Sequence, residues 1–75
     1  MKITYDEEAD ALYLTLRETE YYESDEVKEG LIIDYDREGN PIGVEILRAS
    51  AYLDQKDLST VNFEISHKLA KTSNK

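Results

Sequence analysis

The most informative absence in this 75-residue chain is cysteine. Without thiols the protein can form neither a disulfide nor a thiolate zinc site, and such a composition fits a reducing compartment. We therefore expect a cytoplasmic protein. Met1-Lys2-Ile3 enters a strand-like pattern at once, so we expect no signal peptide. No apolar run approaches the roughly 20 residues of a membrane helix, and we expect no membrane association.

Basic residues are scarce as well. The chain has 9 Lys and Arg against 17 Asp and Glu, a net charge of −8. Residues 6–45 hold 14 acidic and 3 basic side chains, whereas residues 46–75 hold 3 acidic and 5 basic ones. A nucleic-acid binder must neutralise phosphates with basic side chains. We therefore expect no nucleic-acid binding by the acidic part of the chain.

Glycine is the third scarce residue. The three glycines are isolated from one another, so there is no glycine-rich phosphate loop, and we expect no cofactor. The length allows one domain, which we place at residues 1–66, followed by a polar, flexible tail at residues 67–75. Chains of this size bury only about 60–65% of their unfolded surface, so stability is marginal unless a partner adds burial.

The clearest local signal is a hairpin between residues 31–36 and 40–47. Asp36 suits the first position of a type I turn, and Gly39 suits the left-handed position that follows it. Counting outward from that turn pairs Ile33 with Gly43 and Ile32 with Val44. One face of the hairpin then carries Ile32, Ile42, Val44 and Ile46, and the other carries Leu31, Ile33, Tyr35 and Leu47.

The remaining segments complete a predicted β fold. Period-two alternation predicts strands at residues 2–5, 11–16 and 61–65, and an acidic strand at residues 21–27 that suits a sheet edge. Helical spacing at residues 48–53 predicts a short helix. The fold class is thus mainly β, or α+β. We expect an antiparallel sheet of five to six strands, a meander with a central hairpin, and one short C-terminal helix.

Two segments resemble a known family. Ile3-Thr4-Tyr5-Asp6 followed by Ala9-Asp10-Ala11-Leu12-Tyr13, and the later Gly43-Val44-Glu45-Ile46-Leu47 with Ala49-Ser50, are similar to the small prokaryotic domain of unknown function 2283 family. The resemblance spans roughly residues 2–65. It implies a compact antiparallel β domain and no established reaction or catalytic residue. It also implies membership of two-gene modules such as toxin–antitoxin pairs.

Four carboxylates are the candidate functional groups. Asp6 and Asp10 belong to an acidic turn that lacks the glycine and the alternating ligands of a calcium loop, so we expect no metal site there. Asp34 and Glu45 sit within the apolar hairpin, where burial favours a raised pKa. The predicted register puts them on opposite faces, which argues against a paired-carboxylate mechanism.

These observations favour a protein-interaction module over an enzyme. The two-sided apolar hairpin and the six tyrosines fit a protein that self-associates as a homodimer or docks on another protein. The candidate interface is Leu31, Ile33, Tyr35 and Leu47. An antitoxin-like role, with the acidic sheet neutralising a basic partner, is the sharpest version of this hypothesis. The alternative is a small carboxylate- or metal-dependent hydrolase.

Overall fold

A computed structural model describes residues 1–67 as one five-stranded antiparallel sheet with two short helices at its C-terminal end. The strands are β1 (Lys2–Asp6), β2 (Ala11–Thr15), β3 (Glu23–Lys28), β4 (Leu31–Tyr35) and β5 (Pro41–Leu47). A 3-10 helix (Ala49–Ala51) and an α-helix, α1 (Gln55–Ser59), follow them. The predicted antiparallel, mainly β fold is confirmed.

The strand order is β1-β2-β5-β4-β3. Strands β3, β4 and β5 form the predicted meander, but β2 lies beside β5, so these four strands make a Greek key. The connection through residues 16–22 passes the ends of β5 and β4, where the Leu16 amide donates to the Ile42 carbonyl and the Tyr22 amide to the Tyr35 carbonyl. As predicted, the acidic strand lies at an edge, and β1 forms the other edge.

The turn between β4 and β5 has the geometry that Asp36 and Gly39 favour. Gly39 adopts φ 87°, and its amide donates to the Asp36 carbonyl at 3.0 Å. The Asp36 Oδ1 accepts the amides of Glu38 at 3.0 Å and Asn40 at 2.8 Å. The Asp36 side chain is buried, with Arg17 at 3.7 Å. This turn fixes where the hairpin starts.

The register predicted beyond this turn is wrong by one residue. The pairing shifts between Asp34 and Tyr35, so Tyr35 faces Pro41 while Asp34 faces Gly43. Ile42 is the extra residue of this β-bulge, and the Leu16 and Arg17 amides both approach its carbonyl. Counting from the turn alone cannot detect such an insertion, because the turn residues do not determine whether the strand accommodates an extra residue farther along.

The bulge sorts the side chains into one apolar and one mainly polar face, which corrects the prediction of a hairpin apolar on both sides. The apolar face carries Ile3, Tyr5, Leu12, Leu14, Leu31, Ile33, Val44 and Ile46, together with Asp25 and Lys28 of the edge strand β3. The polar face carries Lys2, Thr4, Asp6, Tyr13, Thr15, Ser24, Asp34, Gly43 and Glu45, together with Ile32 and Leu47.

The segment after β5 differs from the single predicted helix at residues 48–53. Arg48 adopts a left-handed conformation with φ 52°, so a right-handed helix cannot include this residue and does not begin directly after β5. The α-helix begins later, where Asp54 and Asp57 form a reciprocal capping box. Tyr52 and Leu53 lie between the two helices.

The predicted last strand at residues 61–65 is also wrong, since these residues have no regular secondary structure. Val61, Phe63 and Ile65 alternate as a strand would, yet each of them is 63–71% exposed. Alternation gives a strand only when a neighbouring edge completes its hydrogen bonds. Residues 68–75, most of the predicted tail, lie outside the described part of the chain.

The core is small. Within residues 1–67 the buried apolar side chains are those of Ile42 and Ala49, at 5% and 0% exposure. Apart from Ile42, the aliphatic residues of β2, β4 and β5 are half-buried, and Tyr52 and Leu53 lie beside Leu31 and Ile46 on the apolar face. The sheet thus leaves apolar surface in contact with water.

Candidate functional site

A chain of side-chain hydrogen bonds crosses the polar face of the sheet. The Tyr13 hydroxyl donates to Asp34 Oδ2 at 2.6 Å, and the Ser24 hydroxyl donates to Asp34 Oδ1 at 2.7 Å. The hydroxyls of Tyr21 and Ser24 are 2.9 Å apart. Asp34, on β4, therefore joins side chains from β2 and β3, and this polar chain is the most organised group of functional side chains on the sheet.

Gly43 makes this arrangement possible. Tyr13 pairs directly with Glu45 on β5, and its ring passes over Gly43 to reach Asp34 on the next strand. A Cβ atom at position 43 would overlap the Tyr13 hydroxyl oxygen and lie 2.9 Å from Cζ. No sequence pattern indicated this contact, because the predicted register placed Gly43 opposite Ile33.

The hydrogen bond to Asp34 raises the pKa of Tyr13 to about 12, with further contributions from burial and from the negative charges of Asp34 and Glu45. The Tyr13 phenol is therefore protonated at neutral pH and acts as a hydrogen-bond donor. A general base needs a pKa near the working pH, so this tyrosine is unsuited to that role.

A shallow depression of about 410 Å³ lies beside this polar chain. It is lined by Tyr13, Thr15, Arg17, Glu18, Thr19, Tyr21, Asp34 and Ile42. Its cation, Arg17, lies 3.7 Å from the Asp36 carboxylate. The lining presents hydroxyl groups and mixed charges, which can bind polar groups by hydrogen bonds, but Asp34 already accepts two short hydrogen bonds.

Asp10 links the β1–β2 hairpin to the segment after β5 by hydrogen bonds. Its Oδ1 accepts the Tyr5 hydroxyl at 2.6 Å and the Ser50 amide at 3.0 Å, and its Oδ2 accepts the Ser50 hydroxyl at 2.7 Å. The Asp10 carbonyl also accepts the Ala49 amide at 2.9 Å. The Ser50 hydroxyl, followed by the Tyr5 hydroxyl, lowers the pKa of Asp10, while the hydrogen bond to Asp10 raises the pKa of Tyr5.

Asp6 serves the β1–β2 turn. Its Oδ1 accepts the amides of Glu8 at 3.0 Å and Ala9 at 3.2 Å, as a turn-forming aspartate does. Asp36 does the same in the β4–β5 turn, and the hydrogen bond from the Asn40 amide is the largest of the effects that lower its pKa. Within residues 1–67 no three His, Cys, Asp or Glu side chains are grouped so that they could hold a metal ion.

Asp34 and Glu45 lie on the same face, which corrects the prediction that they lie on opposite faces. Asp34 pairs with Gly43, and Glu45 follows two residues along the same strand. Tyr13 lies between them, paired with Glu45 and hydrogen-bonded to Asp34. Of the four candidate carboxylates, only Asp34 lines the depression beside this chain.

The four candidate interface residues do not form one surface. Leu31 and Ile33 pair with Ile46 and Val44 on the apolar face, while Leu47 lies on the opposite face. These residues and Tyr35 are all half-buried.

Sequence reasoning missed a more exposed apolar group. Met1, Ile3, Val61 and Phe63 line a hollow of about 530 Å³ beside β1 and are 74%, 41%, 63% and 71% exposed. The alternation at residues 61–65 was the available signal, but it predicted a strand of the sheet rather than an exposed surface. We call these four residues the β1 apolar patch.

Comparison with known proteins identifies the family of this chain. Residues 2–50 match the family described as Protein of unknown function (DUF2283). The chain belongs to this family. No curated protein and no solved structure matches it significantly. No helix in the described part of the chain has the length and apolarity to span a membrane.

The matched segment has a structural rationale. It ends at Ser50, the residue that Asp10 binds through both carboxylate oxygens, so the family segment contains the whole Asp10 connection. The match is shorter than the resemblance over roughly residues 2–65 that the sequence motifs predict. Val61 and Phe63 of the β1 apolar patch instead lie beyond the matched segment.

Proposed function

We propose that this protein is a protein-interaction module whose apolar surface is completed by another protein chain, with an antitoxin-like role as the specific form of that function. The β1 apolar patch is the observation that carries the proposal. It gathers four exposed apolar side chains around one hollow, whereas residues 1–67 have two buried apolar side chains in all. Contiguous exposed apolar surface of this kind marks interaction sites in small proteins.

Charge supports a basic partner for the antitoxin-like form. The net charge is −8, and residues 6–45 contribute 14 of the 17 acidic side chains. An acidic module associates faster with a basic partner, because opposite fields steer the two proteins together. Such a module would neutralise a basic toxin encoded beside it, with the apolar patch supplying contact area and the acidic sheet supplying steering.

The hydrolase alternative has weaker support. Asp6 binds turn amides, Asp10 binds Tyr5 and Ser50, and Asp34 binds Tyr13 and Ser24, so these three carboxylates hold backbone and side chains in place from separate positions. Glu45 lies on the same face as Asp34, but Tyr13 lies between them and its hydroxyl donates to Asp34. A paired-carboxylate mechanism requires two such groups to face one substrate.

A matched pair of variants tests the interaction function. Val61 belongs to the β1 apolar patch, while Val27 lies on the opposite sheet edge with 49% exposure. Val61→Ser should weaken association, measured by light scattering of the protein alone and by titration calorimetry with the product of the neighbouring gene. Val27→Ser should leave both unchanged. Equal behaviour of the two variants would contradict a role for the patch.

A functional assay tests the antitoxin-like form. Expression of the neighbouring gene alone should arrest growth, and co-expression of this protein should restore it. Val61→Ser should restore growth less well than Val27→Ser at equal protein levels. Equal restoration of growth by Val61→Ser and Val27→Ser, or no growth arrest by the product of the neighbouring gene, would exclude this form of the proposal.

A further inference from the structure

The two edge strands of the sheet differ in whether their side chains favour pairing with the same strand of a second copy. Edge strand β3 (Glu23–Lys28) is exposed along its whole length and carries Glu23, Asp25 and Glu26. Two antiparallel copies of this strand centred on Asp25 would place the two Asp25 carboxylates opposite one another, and copies centred on Glu26 would do the same with the two Glu26 carboxylates. Like charges directly opposite one another are destabilising, so this edge resists pairing with itself.

Edge strand β1 has the opposite pattern. Lys2 and Asp6 stand at its two ends, with Ile3, Thr4 and Tyr5 between them. An antiparallel copy centred on Thr4 would place Lys2 against Asp6 of the second copy twice, and Ile3 against Tyr5 twice. Lys2, Thr4 and Asp6 share the polar face, whereas Ile3 and Tyr5 share the apolar face, so each pair also meets on its proper side.

Both charged side chains are available for such contacts. Lys2 and Asp6 are exposed, and neither forms an ion pair within residues 1–67. Asp6 uses Oδ1 for the Glu8 and Ala9 amides, which leaves Oδ2 for a cation. In the described chain β1 pairs with β2 alone, so its outer edge has no strand partner there.

The β1 apolar patch adjoins the same edge. Ile3 is a β1 residue, Met1 precedes the strand, and Val61 and Phe63 lie across the same hollow. A second copy docked edge to edge would bring two such patches together about the twofold axis. Pairing at β1 thus provides ladder hydrogen bonds, complementary charges and apolar burial on one surface.

We propose that two copies of this chain pair antiparallel through β1, with Thr4 at the twofold axis, and form a continuous ten-stranded sheet. This proposal rests on the proposed interaction function and names a second copy as one partner. The symmetry is that of an isologous dimer, in which the same residues serve both partners. Edge β3 remains free in this dimer.

A single cysteine tests the register, since the native chain has none. Opposite residues of an antiparallel pair have Cα atoms roughly 4.5–5.5 Å apart, within the range that a disulfide spans. Thr4→Cys should therefore oxidise to a covalent dimer at low protein concentration. Val27→Cys, on edge β3, is the matched control and should stay monomeric on a non-reducing gel under the same conditions.

Charge reversal tests the pairing without a covalent bond. Lys2→Glu and Asp6→Lys should each raise the dimer dissociation constant roughly tenfold or more, because two attractive pairs become repulsive. An equimolar mixture of the two variants should form a heterodimer of native affinity. In that heterodimer one charge pair is native, and the other joins the glutamate introduced at position 2 to the lysine introduced at position 6.

A further variant controls for folding. Asp6→Asn keeps an oxygen that can accept the turn amides of Glu8 and Ala9, but it removes the charge. Its circular dichroism spectrum shows whether the fold depends on that charge. A native spectrum together with a raised dimer dissociation constant would assign the effect of Asp6→Lys to the interface.

The outcomes separate the two proposals. A monomeric wild-type protein, or equal cross-linking of Thr4→Cys and Val27→Cys, would overturn β1 pairing. If both charge reversals left the dimer dissociation constant unchanged while Val61→Ser raised it, β1 pairing would also be overturned, but the interaction function of the patch would stand. Cross-linking at Thr4→Cys together with rescue in the mixture would establish the pairing.

Discussion

The two faces of this sheet are built on the same strands, yet different interactions hold them together. The apolar face depends on aliphatic side chains that are half-buried and interact without directional preference. The polar face depends on a directed chain from Tyr21 through Ser24 and Asp34 to Tyr13, with contacts of 2.6–2.9 Å. The stability that the apolar face contributes therefore depends on the surface area that it buries. The stability that the polar face contributes depends on the positions of individual hydrogen-bonding atoms.

The largest effect should come from adding atoms to the polar face. Gly43→Val should lower the free energy of unfolding by about 2–4 kcal/mol, because the new side chain displaces Tyr13 and breaks its bond to Asp34. Urea denaturation measures this. In a Tyr13→Ala background the same change should cost less, since the ring that it strikes is gone. An unchanged midpoint for Gly43→Val would refute the close approach.

Removing atoms from the apolar face should have the next largest effect. Leu14 lies between Ile3 and Val44 in the middle of that face. Leu14→Ala should cost about 2 kcal/mol, at the low end for leucine because the side chain is half-buried. The neighbouring Thr15→Ala, on the polar face, should cost less than about 0.5 kcal/mol. Equal losses in urea denaturation would mean that the faces are not distinguished by burial.

A smaller loss is expected when one hydrogen bond of the polar chain is removed. Tyr13→Phe keeps the ring over Gly43 but removes the hydroxyl that donates to Asp34, at a cost of about 0.5–1.5 kcal/mol. Tyr21→Phe removes an exposed contact to Ser24 and should have little effect. If Tyr21→Phe proves the more damaging in the same denaturation assay, the polar chain is not anchored at Tyr13.

The smallest effect should appear in the alkaline pH dependence. The pKa of Tyr13 is raised to about 12 in the folded protein, against 10.0 for a free phenol. The folded state thus retains its proton more tightly, so this contribution is complete below pH 10 and is lost as the pH rises toward 12. Denaturation midpoints should fall in that window, and less steeply for Tyr13→Phe. Ultraviolet titration of tyrosinate should show one late-ionising residue fewer in that variant.

The local features of this fold could be predicted without any knowledge of distant residues. Alternation in β1 and β2, the acidic composition of β3 and the turn chemistry of Asp36 and Gly39 involve residues close together in the chain. Each feature is encoded by backbone preference or by period-two burial. The antiparallel β class and the position of the acidic edge strand followed from them.

The face that each side chain occupies depends instead on the tertiary structure. The bulge at Ile42 shifts the β4–β5 register by one residue, and a shift of one exchanges the two faces. It puts Gly43 under Tyr13 and Asp34 beside Glu45, so the polar chain exists only in that register.

Two contacts between residues that are distant in the sequence also could not be predicted from the sequence pattern. Asp10 binds Ser50 across 40 positions of sequence, and Val61 and Phe63 return beside Met1 and Ile3. Periodicity describes how a segment can bury one side, but not which segment it meets. Meeting a partner depends on the free energy of bringing distant chain segments together, and that is a property of the whole fold rather than of any stretch within it.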